Sequence, residues 1–459
     1  MDSKVLFLIA LLFVFLFSAA PLCTGDDDDS TDDDSVDDDS VDDDSVDDDS
    51  VDDDSTDDDS VDDDSADDDS VDDDSVDDDS ADDDSVDDDA TDDDSTDDDS
   101  ADDDDDLGEY GIYAMSLVVN DDGRLIIAAI NREYNLAILI PSDASIQVIP
   151  IAMFGMSPQL KKAPDGSLHL IYSGSSWQSL NYAYSNDGLN WQIEPVGESF
   201  WWSGGWSLAV DAESRPHISG YVYEDGIQLR YYRRETEDWV YETVGAVDEV
   251  DVFAETALVV DEQNVAHIAY SNSECLFHHP FYDIVVFMHY ADNAGGTWNT
   301  QIVDFACHYN RDGCSLGVGN HLQMFLDSAG FAHLLSIEYT TGGDVVGHYD
   351  NSSSAWTHRQ ILLDFPFALS AAMDDENTIH FALVNGASFD DFRFFYGTFA
   401  GGVFALPQEV EPNLIGYEIS LFLTADQTLH VLDYAAGLRH LVRQNGDWTA
   451  TQLTQATNR

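Results

Sequence analysis

Six histidines recur at one position along this chain, His169, His217, His267, His333, His380 and His430, and Ile126 fills the same place in a seventh copy. Imidazole ligates metals and moves protons near neutral pH, so a ring of ligands is one reading of the column. The other is that each histidine hydrogen-bonds within its own repeat, since repeated packing alone produces such a column. The spacing favours the second reading. Members stand 43 to 66 residues apart, and copies on opposite repeats are too distant to share an ion.

A second group with chemical potential is the set Cys275, Cys307 and Cys314, with His278, His279, His308 and His321 alongside. Thiolate and imidazole suit zinc or copper, yet no C-x-x-C or H-E-x-x-H spacing is present, so no metal site is assigned. In an exported chain a disulfide is the default for such thiols. Cys307–Cys314, Cys275–Cys307 and Cys275–Cys314 are all open, and one thiol is left over. A third group is aromatic: Trp177, then Trp201, Trp202 and Trp206 in SFWWSGGW, then Tyr223 with Asp225. Connecting-segment aromatics beside a carboxylate suit sugar or peptide recognition, and these six are the candidate ligand-binding residues. For Trp206, which directly precedes a strand, packing is the competing role.

The elements that must position these residues come from a degenerate repeat. Its clearest copy is SLAVDAESRPHISGYVYEDGIQLRYYRRETEDWVYETVG, Ser207 to Gly245. Each copy has four short apolar or alternating runs rich in strand-forming residues, and no stretch has sustained helical periodicity. Three residues before the histidine column stand Gly123, Gly166, Ser214, Asn264, Gly330, Asn377 and Gln427, mostly types that tolerate positive φ in a tight hairpin. Trp191, Trp239, Trp298, Trp356 and Trp448 open the fourth strand in five copies. Four strands per copy and seven copies predict an all-β chain, a seven-bladed β-propeller over residues 107–459. Strand direction alternates, so the loop between second and third strands shares a face with the loop joining successive blades. Trp177, Trp201, Trp202, Tyr223 and the extra residues of the long fourth repeat all fall on that face.

YSNDGLNW (Tyr184–Trp191) and ADNAGGTW (Ala291–Trp298) resemble the Asp-box, or BNR, motif S-x-D-x-G-x-T-W. In that family the motif is a structural hairpin between a blade's third and fourth strands, where both copies fall. The first lacks a spacer before Gly188; the second has Ala291 for Ser and Asn293 for Asp. The resemblance implies a sialidase-like propeller fold and says little about activity. Sialidase chemistry needs clustered arginines for a carboxylate and a Tyr–Glu pair with an acid. The family's F/Y-R-I-P arginine motif is absent, and the twelve arginines of the body are scattered. Nor is there a G-x-S-x-G elbow, P-loop or dinucleotide fingerprint, so no catalytic residue and no cofactor is assigned.

Residues 1–25 read as an export signal: Lys4 precedes the apolar run VLFLIALLFVFLFSAA, which ends in small residues. Cys23 is a candidate for lipid attachment, although Ala20-Pro21-Leu22 departs from a lipobox. Residues 26–106 form an acidic ribbon of V/T/A-DDDS pentads without a basic residue or an aromatic one. Nothing there offsets the entropy of ordering, so it reads as a disordered, charge-stretched spacer. It lacks the glycine and terminal Glu of a calcium loop, leaving only diffuse association with divalent cations.

The formal charge of −81 disfavours nucleic acid and anionic membrane as partners and suits saline surroundings. A lipid anchor is the one membrane contact the sequence allows. The expectation is an exported, secreted or surface-displayed monomer that binds carbohydrate or protein. A divergent sialidase-like glycoside hydrolase and a purely structural surface propeller are the alternatives.

Overall fold

The computed structural model describes residues 114–453 apart from short connections, of which 248–254 is the longest, and without the side chains of 273–284, 307–320 and 411–417. Residues 1–113, which include the expected export signal and the acidic ribbon, lie outside the described residues. What is described is the seven-bladed propeller. Seven antiparallel sheets follow one another along the chain, six of four strands and one of five. Each is built from consecutive strands, here lettered A to D from the centre outward. The A strands are Ala114–Val119, Met156–Lys162, Trp206–Val210, Thr256–Val260, Ser315–Leu326, Pro366–Met373 and Ile419–Leu423. Blade six divides its outer edge in two, Val403–Phe404 and Gln408–Leu414 both pairing with Phe392–Ala400.

Alternating strands bury both faces of each sheet against its neighbours. Between blades three and four, for example, Tyr221, Leu229, Tyr231 and Val244 meet Leu258, Ile268 and Tyr270. Each such side chain contributes about 1.5–3 kcal/mol through burial. The ring closes the same way: Leu432 and Leu438 of blade seven pack with Met115, Leu117 and Leu125 of blade one, with no strand exchanged between them.

The A strands are sheet edges whose outer N–H groups have no ladder partner, an arrangement that must be satisfied some other way. A side chain of the preceding blade supplies the acceptor. The N–H of Leu160 donates to Ser116 Oγ at 3.0 Å, Leu208 to Gln159 Oε1 at 3.0 Å, Leu258 to Ser207 Oγ at 3.1 Å and Leu421 to Ser370 Oγ at 2.9 Å. At the junction of blades four and five the acceptor is a carboxylate, Glu255, at 2.9 Å from Leu322 N.

The A–B hairpins behave as their sequence column predicts. Gly123, Gly166, Ser214, Asn264, Gly330, Asn377 and Gln427 all have φ between 61° and 87°. The long fourth repeat differs from expectation. Its extra residues, read from sequence as loop, continue the blade: strand B runs Ala266–His278, strand C Phe281–Asp292, strand D Asn299–His308, and the next A strand begins at Ser315. Aromatic and β-branched residues such as Phe281, Ile284 and Val285 extend the ladder beyond the length common to the other blades.

Candidate functional site

The histidine column is a set of buried relays. In blade three His217 Nε2 lies 3.0 Å from Asp211 Oδ2, and Nδ1 lies 2.6 Å from Tyr231 Oη. An ionised carboxylate only accepts, so Nε2 carries the proton and Nδ1 accepts from the tyrosine hydroxyl. Blade six repeats this with Asp374, His380 and Tyr396 at 3.0 and 2.6 Å. Blade two inserts a hydroxyl: His169 faces Tyr182 at 2.7 Å and Ser167 at 3.0 Å, and Ser167 donates to Asp165. Blade four keeps His267–Tyr290 at 2.6 Å. In blades five and seven a second histidine replaces the tyrosine, giving His333–His348 and His430–His440, each at 3.0 Å. Blade one has Ile126 packed with Ile138 instead.

Burial sets the charge state of these groups. It pulls His169 and His440 down to about 4 and His348 to about 3, so all three are neutral at pH 7. Asp211 is pushed up by its own burial, but the N–H of Arg215, His217 and the Arg215 side chain outweigh that and hold it below the usual carboxylate range. Among the described residues no group of three or more His, Cys, Asp or Glu is arranged to hold a metal ion. The column therefore ties strand B to strand C in six blades, and ties in the A–B turn as well in blades two, three and six.

The hairpin Tyr184–Trp191 is built as a self-contained staple as well. Asp187 accepts the N–H groups of Asn190 and Leu189, both at 2.8 Å, and Ser185 Oγ accepts Gly188 N–H at 2.9 Å. Those bonds, first that from Asn190, keep the Asp187 carboxyl well below its ordinary pKa. Gly188 has φ 76°, and a Cβ there would stand 3.0 Å from Ile126, so both backbone and packing demand glycine. In Ala291–Trp298 the anchor moves to Asn293, whose amide oxygen accepts Ala266 N–H at 2.8 Å.

The described site with room for a ligand is the central channel, a cavity of about 710 Å³ lined by the A strands of all seven blades. Three levels follow from the alternation of the strands. At the end nearest the inter-blade loops stand Glu255, His321 and Glu418, with Ser157 between blades. The middle level is a collar of Ser116, Gln159, Ser207, Gln323, Ser370 and Ser420. The far level holds Lys161 among Phe325, Ala372 and Phe422. Burial, then the nearby Glu255 charge, pushes the Glu418 carboxyl up to about 8, so it carries its proton at pH 7. His321 takes its place with φ 51°, an unusual conformation for a non-glycine residue.

No arginine lines the cavity among the described residues. The described arginines are engaged elsewhere: Arg215 on Asp211, Arg230 on Glu224, Arg233 on Glu242, Arg234 on Glu194, Arg359 on Asp350 and Arg439 on Asp433. Arg124 and Arg393 pair with Asp122 and Glu409, and Arg443 bonds the Tyr396 hydroxyl.

Of the aromatic candidates, Trp177, Trp201 and Trp202 lie outside the described residues. Trp206 is 3% exposed and sits at the junction of blades two and three. Its indole N–H faces Ser157 O, and its own carbonyl accepts the Gln159 amide at 2.6 Å. Part of it borders the channel. Tyr223 is 59% exposed at the end of strand B, and Asp225 has φ 52° in the turn that follows, on the inter-blade-loop face as expected. Cys275 and Cys307 stand in strands B and D of blade four with their side chains outside the described residues, as is the whole of Cys314; Cys23 is also outside.

Sequence reasoning missed the partners of the column, although the signal was present. Asp211, Asp261, Asp327 and Asp374 all precede their histidine by six residues, and Tyr182, Tyr231, Tyr290 and Tyr396 share one place in strand C. The channel collar gave no separate signal, because one serine or glutamine per strand reads as ordinary alternation.

No family model matches the sequence, and no curated protein matches it. Solved structures similar to the chain include a fucose-specific lectin from Aleuria aurantia, with TM-score 0.42, 11% identity, and coverage of 64% of this chain and 92% of that one. A polysaccharide lyase described as an ulvan lyase gives 0.46, 10%, 76% and 94%, and a Hadza microbial sialidase 0.40, 12%, 68% and 71%. At these scores the likeness bears on no individual residue.

Proposed function

We propose that this chain is an exported, secreted or surface-displayed propeller that binds carbohydrate at the face carrying its inter-blade loops, with the mouth of the central channel inside the site. The observation that carries the reading is the channel itself: a 710 Å³ cavity ringed by hydroxyl and amide side chains. Ser116, Ser207 and Ser370 already accept an N–H of the next blade but keep their hydroxyl protons. With Gln323 and Ser420 they offer mainly donors to a ligand rich in hydroxyls, and little to an apolar one. Tyr223 supplies an aromatic face on the same side, and the sequence positions of Trp177, Trp201 and Trp202, after strand B of blade two and before strand A of blade three, are those of connections expected there. The Asp-box likeness is supported by the closed Ser185–Asp187–Trp191 hairpin and bears on the scaffold alone. The acidic ribbon then serves as spacer between the export signal, or a lipid on Cys23, and a monomeric propeller.

A glycan array probed with the full mature chain tests this. Binding that is lost in Trp177→Ala, Trp202→Ala or His321→Ala, with the thermal melt unchanged, is the expected result. A chain that binds no glycan while capturing a purified cell-surface protein would overturn the carbohydrate assignment.

One observation favours a second reading, a divergent glycoside hydrolase. Glu418 keeps a proton at neutral pH at the channel mouth, and glycoside hydrolysis needs a carboxyl that holds one to give to the leaving group. Turnover of fluorogenic glycosides that disappears in Glu418→Gln would establish it; no turnover across a broad panel would dismiss it.

A further inference from the structure

Lysine is scarce in the body of this protein, where only Lys161 and Lys162 occur. Both border the channel, but only one of them has a partner there. Lys162 bonds Asp121 at 2.6 Å and Val119 O at 3.3 Å, tying blade two to blade one. Lys161 makes no such bond with a described residue. Water reaches it along the channel, but strands ring it on every side. That enclosure lowers the pKa of its ammonium, with no opposing carboxylate or hydrogen-bond acceptor among the described residues.

Its isolation is exceptional. The nine described arginines and Lys162 each have an acid or a hydroxyl partner, in a chain with 96 acidic residues. Lys161 stands exposed to the channel water at the level of Phe325, Ala372 and Phe422 and makes no polar contact with a described residue. A cation enclosed in a cavity without a structural partner marks a place where a ligand completes the pairing.

We propose that Lys161 is the anchor for an anionic oxygen group of the ligand, so that the channel takes a carboxylate- or sulfate-bearing saccharide with its charged group at the far level and its hydroxyls along the collar. The mouth residue Ser157 and Lys161 are four positions apart on one strand, a rise of roughly 13 Å, which matches a short oligosaccharide lying along the channel. Protonated Glu418 lowers the charge that such a ligand passes at the mouth. The overall negative charge slows its approach at low ionic strength and is screened beyond about 8 Å at physiological salt. This inference rests on the carbohydrate-binding reading and narrows it.

The paucity of lysine makes the test direct. Reductive methylation of the full mature chain with ¹³C-formaldehyde labels Lys161 and Lys162 in the body, and Lys161→Gln assigns the signals by difference. Glucuronate and glucose 6-sulfate are the probes, with glucose as the neutral control. The expected result is a shift of the Lys161 methyl signal with either anion or both, which identifies the source, and none with glucose. Unmodified Lys161→Gln should bind the effective anion roughly tenfold to a hundredfold more weakly, the loss of one charge-assisted bond. Lys161→Arg should recover part of that. An unmoved Lys161 signal with both anions, or an equal shift with glucose, overturns the proposal. Neutral glycan binding on the array would then survive, whereas failure of the array with a responsive Lys161 would remove carbohydrate and leave anion capture.

Discussion

The indole of Trp298 meets the ring of Tyr231 edge-on across the boundary of blades three and four, with centroids 5.3 Å apart. The same contact joins Trp239 to Tyr182 at 5.2 Å, Trp356 to Tyr290 at 5.3 Å and Trp448 to Tyr396 at 5.4 Å. Each tyrosine is also the one whose hydroxyl bonds the histidine of its own blade. The residue that staples a blade internally is thus the residue the next blade leans on. Deformation in one blade is passed to its neighbour, and the ring resists opening as a unit.

This coupling makes the His217–Tyr231 pair testable against the protein's own variation. Tyr231→Phe leaves the ring contact and strands a buried Nδ1, at a cost of about 1–3 kcal/mol. His217→Ile strands the tyrosine hydroxyl and takes one partner from buried Asp211, which keeps Arg215, and should cost more. Blade one carries Ile126 and Ile138 at these two places, so an all-apolar pair is compatible with the architecture. The double change His217→Ile with Tyr231→Ile is therefore expected to be less destabilising than the sum of the single changes, by roughly 1 kcal/mol or more. Urea unfolding of the parent, His217→Ile, Tyr231→Ile and the double variant gives the coupling; strict additivity would mean the two groups do not act as a pair.

The neutral histidines set the acid limit of the fold. His169 and His440 take up protons near pH 4 and His348 near 3 when folded, against 6.5 as the ordinary value. The unfolded chain binds more protons between those limits, so stability is complete above about pH 6.5 and falls as pH drops towards 4. His358 and Glu418 run the other way: burial opposes the charge of His358 but Glu338 raises its pKa, and burial raises that of Glu418. These two do not offset the three histidines together with His217, His289 and His430, which burial also lowers. Unfolding free energy in molar salt, where self-repulsion is screened, should fall by at least about 3 kcal/mol from pH 7 to pH 4.5. A flat profile over that range would falsify the neutral assignment.

How much of this was legible in the sequence depends on what a repeat preserves. The histidine column, the positive-φ turn residue and the strand-D tryptophans recur, and a periodic fold exposes whatever recurs. The role of the column as internal staple followed from the same periodicity. What differs between copies was less visible. The extra residues of blade four, Ser273–Asp283 and Phe305–His321, match no other copy, and length alone made them read as loops where strands B, C, D and the next A continue. The channel was hidden for a different reason. Seven strands contribute one inward residue at each level, so neither the collar nor the solitude of Lys161 exists until the ring brings the strands together.

Glu418 offers a pH test of opposite sign. Its carboxyl pKa is raised from 4.5 to about 8, so the folded protein holds a proton that the unfolded chain has released at neutral pH. The contribution is present below about pH 4.5 and is lost as pH rises through 8. Glu418→Gln keeps the shape and removes the charge. The thermal midpoint of the variant should match the parent at pH 5 and exceed it by a few degrees at pH 9, in the same molar salt. Parallel midpoints at both pH values would show that channel water solvates the ionised carboxylate fully.

The strand register limits how the three cysteines pair. Cys275 faces Ile284 across one side of strand C, and Cys307 faces Val285 across the other. With strands spaced about 4.8 Å, the backbones of Cys275 and Cys307 stand roughly 10 Å apart, beyond the about 7 Å that a disulfide spans. Any intramolecular bond among the three must therefore include Cys314. Peptide mapping without reduction should recover Cys314 linked to Cys307 or to Cys275, and the remaining thiol should take up iodoacetamide in the denatured chain. A Cys275–Cys307 peptide would require the blade-four ladder to end well before His278, which would return those residues to the loop that their sequence first suggested.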